Sequence, residues 1–394
     1  MAMKRLLELM AEKKASDIFV SVGAPIAIKI NGVTMPINQQ VVTPETVRAL
    51  MREILSERQL AEFDENFELN TSYPIRGLGS YRISAFMQRN TPAVVVRFIP
   101  GEVPAFDTLG LPPVLKEIVL EKRGLLLMVG ATGSGKSTSL AAMIDHRNAL
   151  QSGHIITIED PIEFLFKHKR SIVNQRELGT DAKSYHVALK NALRQAPDVI
   201  LIGEVRDRET MTMAIAYAQS GHLCLATLHA NNSYHALNRI ISFYPLENRP
   251  ALLQDLSSSL KAIVSQRLIR NLKGGRSPAV EVMLNTRHVA DLIERGEVNE
   301  IKEAMDKSLA PGSQTFEQAL FQMFREGVIS QEEALANADS ATNLLWLMNN
   351  TDASAPKPGA APAPKPALRQ EVEQGPGGAS FSEFKLTFDE EKAA

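Results

Sequence analysis

Residues 125–137 read LLLMVGATGSGKS: an apolar run, then Gly130-Ala-Thr-Gly-Ser-Gly135, then Lys136 and Ser137. The pattern GxxxxGK[ST] between a buried-strand signal and a helical pattern at 136–149 marks a phosphate-binding loop. Gly130, Gly133 and Gly135 let successive backbone N–H groups curl around phosphates, and the following helix adds the positive end of its dipole. Thr132, Ser134 and Thr138 complete the expected cradle. Lys136 is expected to reach the β- and γ-phosphates and the Ser137 hydroxyl to ligate Mg²⁺, so ATP and Mg²⁺ are the cofactors this segment implies.

Three downstream segments add chemistry. DVILIGE, residues 198–204, is an apolar strand ending in Glu204, with Gly203 where a Walker B strand usually carries Asp. Glu204 is the candidate that faces Mg²⁺ or its waters. IEDPIE, residues 158–163, ends another strand with Glu159, Asp160 and Glu163. Catalytic acids of open α/β sheets sit at such strand ends, and Glu163 or Glu159 is placed to orient an attacking water; the alternative is an acidic turn broken by Pro161. GHLCLATLH, residues 221–229, carries His222, Cys224 and His229, with His235 beyond. Their spacing matches no zinc module, and alternation puts His222 and Cys224 on one strand face and His229 on the other. The histidine pair reads instead as a phosphate sensor.

The chain has 394 residues, 44% hydrophobic and 22% charged, enough for two or three domains with a sizeable core. Lys and Arg total 43 against 45 Asp and Glu, a net charge of −2, which weighs against a surface that coats nucleic acid or anionic membrane. The one cysteine, Cys224, excludes an intramolecular disulfide and a Cys-rich zinc module and fits a cytosolic chain. No apolar run approaches the roughly 18 residues of a membrane span. MAMKRLLELMAEKKASD, residues 1–17, is interrupted by Glu8 and Glu12 and reads as an amphipathic helix with Met3, Leu6, Leu7 and Met10 on one face, not a signal peptide.

Residues 1–99 read as a small α+β domain. Ile26, Ile28 and Ile30 alternate ahead of Asn31-Gly32, a tight-hairpin signature. Thr43 and Pro44 open a helix whose buried stripe is Val47, Leu50, Met51, Ile54 and Leu55. Strand-like runs follow near 67–75, 79–88 and 92–99. Pro100, Pro104, Pro112 and Pro113 mark 100–113 as a stiff linker. Residues 114–350 alternate strands and helices, and the short unalternating runs at 125–129, 155–158 and 199–202 suit strands buried on both faces of a mainly parallel sheet. A helical pattern lies at 182–195, and beyond about 250 the text is mostly helical. Residues 351–394, rich in Pro, Gly and Ala, read as a disordered tail; its five basic and seven acidic residues hold the whole net charge. FSEFKLTF at 381–388 reads either as a solvated end or as a tethered peptide that docks on a partner.

Together, GATGSGKST (130–138), HIITIEDPIEF (154–164), LRQAPDVILIGEVRD (193–207) and GHLCLATLHANN (221–232) resemble the Walker A, Asp, Walker B and His boxes of the type II/type IV secretion ATPase superfamily. The resemblance runs on through QRL (266–268), SQTFEQAL (313–320) and GVISQEEALANADS (327–340), covering about residues 1–346. Within the superfamily the chain is similar to the type IV pilus retraction ATPases, and most like their accessory paralogue. It lacks the longer N-terminal region and four-cysteine zinc element of assembly ATPases, and an AGLITE-like motif is missing.

The resemblance implies an α/β protein: a PAS-like N-terminal α+β domain, then a RecA-like P-loop ATPase domain with a helical C-terminal part. It implies a homo-hexamer with nucleotide between the two domains, powering or assisting pilus retraction and twitching motility. It gives Lys136 and Ser137 the phosphate and Mg²⁺ roles, Glu163 the water-activating role, Glu204 the Walker B role, and His222 and His229 the His-box roles. Arg82 and Arg97 become arginines that reach the nucleotide. The implied partners are a paralogous retraction ATPase and an inner-membrane pilus platform protein, with the chain cytoplasmic and only peripherally on the membrane. The alternatives are a low-turnover ATP-binding regulator of a partner motor and a RecA-like nucleic-acid motor; the charge balance disfavours nucleic acid.

Overall fold

A computed structural model describes residues 2–30, 32–75, 78–100 and 102–350. Asn31 of the expected hairpin turn and the tail 351–394, with its 381–388 peptide, lie outside the described residues. The described residues divide into two compact units, one of residues 2–102 with Glu163–Leu165, the other of Val103–Ile162 with residues 166–350.

In the first unit, α1 (Ala2–Glu12) buries Met3, Leu6, Leu7 and Met10 completely, as its amphipathic spacing predicts. Its first amides donate to the Glu53 carboxylate at 2.9 and 2.8 Å, an anion at the positive end of a helix. β1 (Asp17–Ser21), β2 (Pro25–Ile30) and β3 (Val33–Val41) follow. Ile30 pairs with Val33, and Gly32 takes φ 83°, a left-handed conformation that glycine adopts without strain. α2 (Pro44–Ile54) starts where expected, with Thr43 accepting from the Thr46 amide and Val47, Leu50, Met51 and Ile54 buried. After α3 (Glu57–Asn66) come β4 (Glu68–Ile75), β5 (Gly79–Gln88) and β6 (Thr91–Pro100). The strands form one antiparallel sheet in the order β3-β2-β1-β6-β5-β4. The helices pack their apolar faces with Ile18, Ile28, Ile83 and Val96 in one core.

The second unit begins with a segment whose Phe106 and Leu111 are buried. Its elements are α4 (Val114–Ile118), β7 (Gly124–Val129), α5 (Lys136–Leu150), β8 (Gly153–Glu159), β9 (Ser171–Glu177), α6 (Tyr185–Ala192), β10 (Val199–Ile202), α7 (Arg208–Gln219) and β11 (Leu223–Leu228). They continue with α8 (Ser233–Ser242), α9 (Arg249–Ser259), β12 (Leu260–Arg270), β13 (Arg276–Leu284), α10 (Arg287–Arg295), α11 (Ile301–Asp306), α12 (Phe316–Arg325), α13 (Gln331–Ala336) and α14 (Ala341–Asn350). The sheet order is β13-β12-β7-β11-β10-β8-β9, parallel throughout except for β13. Alternate residues of each central strand enter different cores: Leu125, Leu127 and Val129 pack with α6–α11, while Leu126 and Met128 pack with α4 and α5. Both faces are covered, so the strands carry no polar side; burying each such side chain contributes about 1.5–3 kcal/mol. Among the described residues no helix is long and apolar enough to cross a membrane.

One expectation needs correction. The text beyond residue 250 is not simply helical, because β12 and β13 extend the sheet from its β7 edge. β12 carries Ser265 and Gln266 at burial levels normal for core leucines, 0% and 2% exposed. Those polar residues interrupt the apolar signal of a central strand, and they are buried because they bond to neighbouring functional elements.

Candidate active site

The loop 130–135 joins β7 to α5 as the sequence predicts. Gly130, Gly133 and Gly135 have φ of 151°, 78° and 88°. A Cβ at Gly130 would stand 2.5 Å from the Gln266 carbonyl, and one at Gly135 2.7 Å from Gln266 Nε2. Gly130 and Gly135 are thus required by conformation and by a close neighbour together, and Gly133 by conformation alone. Lys136 Nζ donates to the carbonyls of Gly130 at 2.8 Å and Ala131 at 2.9 Å, which holds the ammonium over the loop. Ser137 and Thr138 fall in the first turn of α5, half-buried, and Thr132 is exposed. Ser134 is buried, with its hydroxyl lacking a hydrogen-bond partner.

Gln266 escaped the residue-by-residue reading except as part of a resemblance. Its Nε2 donates to the Ser134 carbonyl at 2.8 Å, and its Oε1 accepts from Ser139 Oγ at 2.7 Å. One side chain on β12 therefore clamps the loop and the first turns of α5. A cavity of about 210 Å³ opens beside the loop, lined also by Asn231, Arg267, Leu268 and Arg276. Arg267 is fixed by the Asn337 carbonyl at 2.6 Å, by Asp339 and by the ring of Phe316 at 3.9 Å. Asn231 lies within the 221–232 box without a role assigned to it, and Arg276 lies in no motif, since the cavity is assembled from residues distant in sequence.

At the ends of β10 and β8, Glu204 binds Arg206 through Oε2, with both Nε and the terminal nitrogen at 2.7 Å, and His229 Nε2 lies 3.3 Å from Oε1. Arg206 also faces Asp160 at 3.6 Å; the hydrogen bond to Glu204 holds the guanidinium above its ordinary pKa. Glu159 is nearly buried and accepts from Thr157 Oγ1 at 2.6 Å. Glu163 is exposed in the segment that groups with the first unit. In that first unit, Arg82 and Arg97 stand directly opposite each other on β5 and β6, both exposed, with Arg97 Nε bonded to Asp17 at 2.8 Å.

The two histidines part company. His229 follows the last residue of β11, next to Glu204, whereas His222 precedes its first residue and bonds to Ser220 Oγ at 3.0 Å. The span of β11 separates them by about 23 Å at about 3.3 Å per residue. Cys224 is fully buried within the sheet, and burial pushes its thiol pKa well up. Among the described residues no group of three His, Cys, Asp or Glu side chains is gathered as a metal site.

A loop that presents amides and a lysine at one strand end, with a carboxylate ending the second strand over in the same parallel sheet, is the layout of the P-loop nucleoside triphosphatases. Fold and site assign the chain to that class. The family described as "Type II/IV secretion system protein" matches residues 1–275. The type IV pilus ATPase PilU of Pseudomonas aeruginosa is 52% identical over 349 residues, 88% of this chain and 91% of that protein. The type IV pilus retraction ATPase PilT of the same organism is 37% identical over 87% of this chain and all of that one. A crystal structure of the pilus retraction motor PilT with bound ADP superposes with a TM-score of 0.81 at 39% identity, covering 86% of this chain and 99% of that one. The chain belongs to the type II/IV secretion ATPase family, within its type IV pilus branch, and is an ATPase.

Proposed function

We propose that the chain is a Mg²⁺-dependent, ring-forming ATPase that assists or powers retraction of a type IV pilus. The observation that carries this is the placement of Lys136, the loop amides and Glu204 at the carboxyl ends of one parallel sheet, in a chain 52% identical over 349 residues to a pilus ATPase. The donor set fits the metal: one hydroxyl, Ser137, and one carboxylate, Glu204, are the hard oxygen ligands that Mg²⁺ takes beside phosphates. When bound, the ion neutralises charge on the β- and γ-oxygens. Lys136 and the loop amides bind and orient the triphosphate; His229 and Arg206 hold the Glu204 carboxylate in place. Glu163, exposed and free of its own strand, is the group proposed to orient the attacking water and accept its proton. Arg82 and Arg97 are proposed to reach the nucleotide from a sheet that moves as a rigid body, coupling hydrolysis to domain motion.

The proposed assembly is a homo-hexamer on the cytoplasmic side of the inner membrane, in peripheral contact with a pilus platform protein. The higher identity to PilU than to PilT favours an accessory role beside a paralogous motor. Turnover of the purified chain should vanish in Lys136→Ala, and fibre retraction should fail in a strain carrying that variant with its partner motor disabled. Normal retraction there rejects the proposal.

A further inference from the structure

The strand that ends in Glu204 carries glycine where its motif usually carries aspartate, and the structure gives a steric reason. Gly203 is not in the left-handed region, so backbone freedom does not require it. Space does. A Cβ there would lie 2.9 Å from the Tyr185 hydroxyl, 3.0 Å from Glu159 Cα and 3.1 Å from the Ile158 carbonyl. Neither wall can recede easily. β8 is bonded to this point, with the Gly203 amide donating to Ile158 at 2.8 Å. Tyr185 is the first residue of α6, whose start is fixed by Ser184 capping the Val187 amide.

The Tyr185 hydroxyl is itself unusual. It is buried and completes no hydrogen bond, although the Glu204 amide approaches it. A buried phenol normally finds a partner. Burial and the nearby Asp160 carboxylate push its pKa well up, so it remains a neutral O–H among Glu159, Asp160, Arg206 and the backbone of Glu204. Arg206 and His229 fix the Glu204 carboxylate. The flanking backbone is held by the Gly203 amide on Ile158, by Thr227 Oγ1 on the Gly203 carbonyl and by the Val205 amide on the Thr227 carbonyl at 2.8 Å, and the Tyr185 hydroxyl lies against the Glu204 amide between these anchors.

We propose that Tyr185 is a positioning residue for Glu204: its hydroxyl fills the space under the β10 turn, dictates glycine at 203, and sets where the Glu204 backbone leaves the sheet. Phenylalanine at 185 removes the wedge and lets the turn sink toward α6, withdrawing the carboxylate. The loop at 130–135 lies two strands away and is untouched. The loss therefore falls on turnover and on the Mg²⁺ requirement, while nucleotide binding is preserved. This inference rests on the reading of Glu204 as the metal-facing acid.

The test is a double-mutant cycle on the full chain, with kcat, KM, the Mg²⁺ concentration for half-maximal rate, and affinity for a fluorescent ATP analogue. Tyr185→Phe should lower kcat about fivefold and raise the Mg²⁺ requirement, with affinity changed less than about twofold. Gly203→Ala should cost about a hundredfold in kcat with Tyr185 present, and about tenfold beside Phe, because neighbours in contact do not act additively. Additive losses, or an affinity loss in Tyr185→Phe as large as its kcat loss, overturn the proposal. If Gly203→Ala does not fold, the kcat, affinity and Mg²⁺ response of Tyr185→Phe alone decides by the same criterion. Glu204→Gln separates the two levels: full turnover in that variant rejects the reading of Glu204, whatever the cycle shows.

Discussion

The two ends of the seven-stranded sheet are built from the same strands and differ in how their polar groups are satisfied. At the amino ends, Asp198, His154 and Arg147 are all engaged, although the buried Asn285 Oδ1, beside the start of β12, accepts no hydrogen bond. Asp198 accepts from the His154 amide at 2.8 Å, His154 bonds Gln195 and Asn174, and Arg147 closes on the carbonyls of Val119 and Glu121 at 2.6 and 2.7 Å. At the carboxyl ends, the buried hydroxyls of Ser134 and Tyr185 stay unpartnered, and carboxylates gather at Glu159, Asp160 and Glu204. One end is settled structure. The other keeps unspent hydrogen-bonding capacity, as a site that must grip a triphosphate requires.

The most direct way to break this contrast is at Lys136. Lys136→Ala should lower kcat at least about a hundredfold, in line with loss of a preorganised transition-state donor, while circular dichroism and the thermal midpoint change little. Retained turnover would mean that the carboxyl end does not hold the phosphates. Gln266→Leu comes next, since it removes both clamps on the loop and strands Ser139. Buried groups left unpaired cost about 1–3 kcal/mol each, so nucleotide affinity should fall by about tenfold or more, measured by calorimetric titration. An unchanged affinity would show that the loop holds its shape without β12.

The histidines sharpen the comparison within a single strand. His229→Ala frees one side of Glu204 and should lower kcat by about fivefold, the scale of one partly exposed polar contact. His222→Ala, at the settled end, should change kcat by less than about twofold. A large His222 effect in the assembled protein, absent when the chain is kept monomeric, would show that another subunit reaches the amino end.

This pair also shows what a sequence can and cannot reveal. Strands buried on both faces and a glycine loop are local patterns, so β7, β8, β10 and the phosphate loop were legible from residue order. The α2 cap at Thr43 and the three strands of 67–99 were legible for the same reason. Alternation puts His222 and His229 on different strand faces, but periodicity does not report which strand end faces the phosphate loop. β12 was hidden because Ser265 and Gln266 answer to partners far away in the chain, the loop and Glu281. The cavity-lining Arg276 and the wedge at Tyr185 are likewise products of tertiary packing that no local motif records.

The smallest effect lies in stability, at Glu281. It pairs with Ser265 across β12 and β13, and one oxygen accepts from the Ser233 amide at 2.8 Å, from Ser265 Oγ at 2.9 Å and from Ser233 Oγ at the start of α8. Burial nevertheless dominates and raises its pKa above the ordinary carboxylate range. The folded chain therefore binds this proton more tightly than the unfolded chain. Between the ordinary and the raised pKa the unfolded state has already lost the proton, so stability falls as pH rises through that window and stays lower above it. Glu281→Gln keeps an acceptor for the same donors and removes the charge. The difference in unfolding free energy, variant minus parent, should grow in favour of glutamine as pH rises from about 4 to 8, measured by urea denaturation at matched ionic strength. A difference that stays flat with pH would mean that the three donors fully offset burial, and that the carboxyl end of the sheet carries its buried charge at no cost.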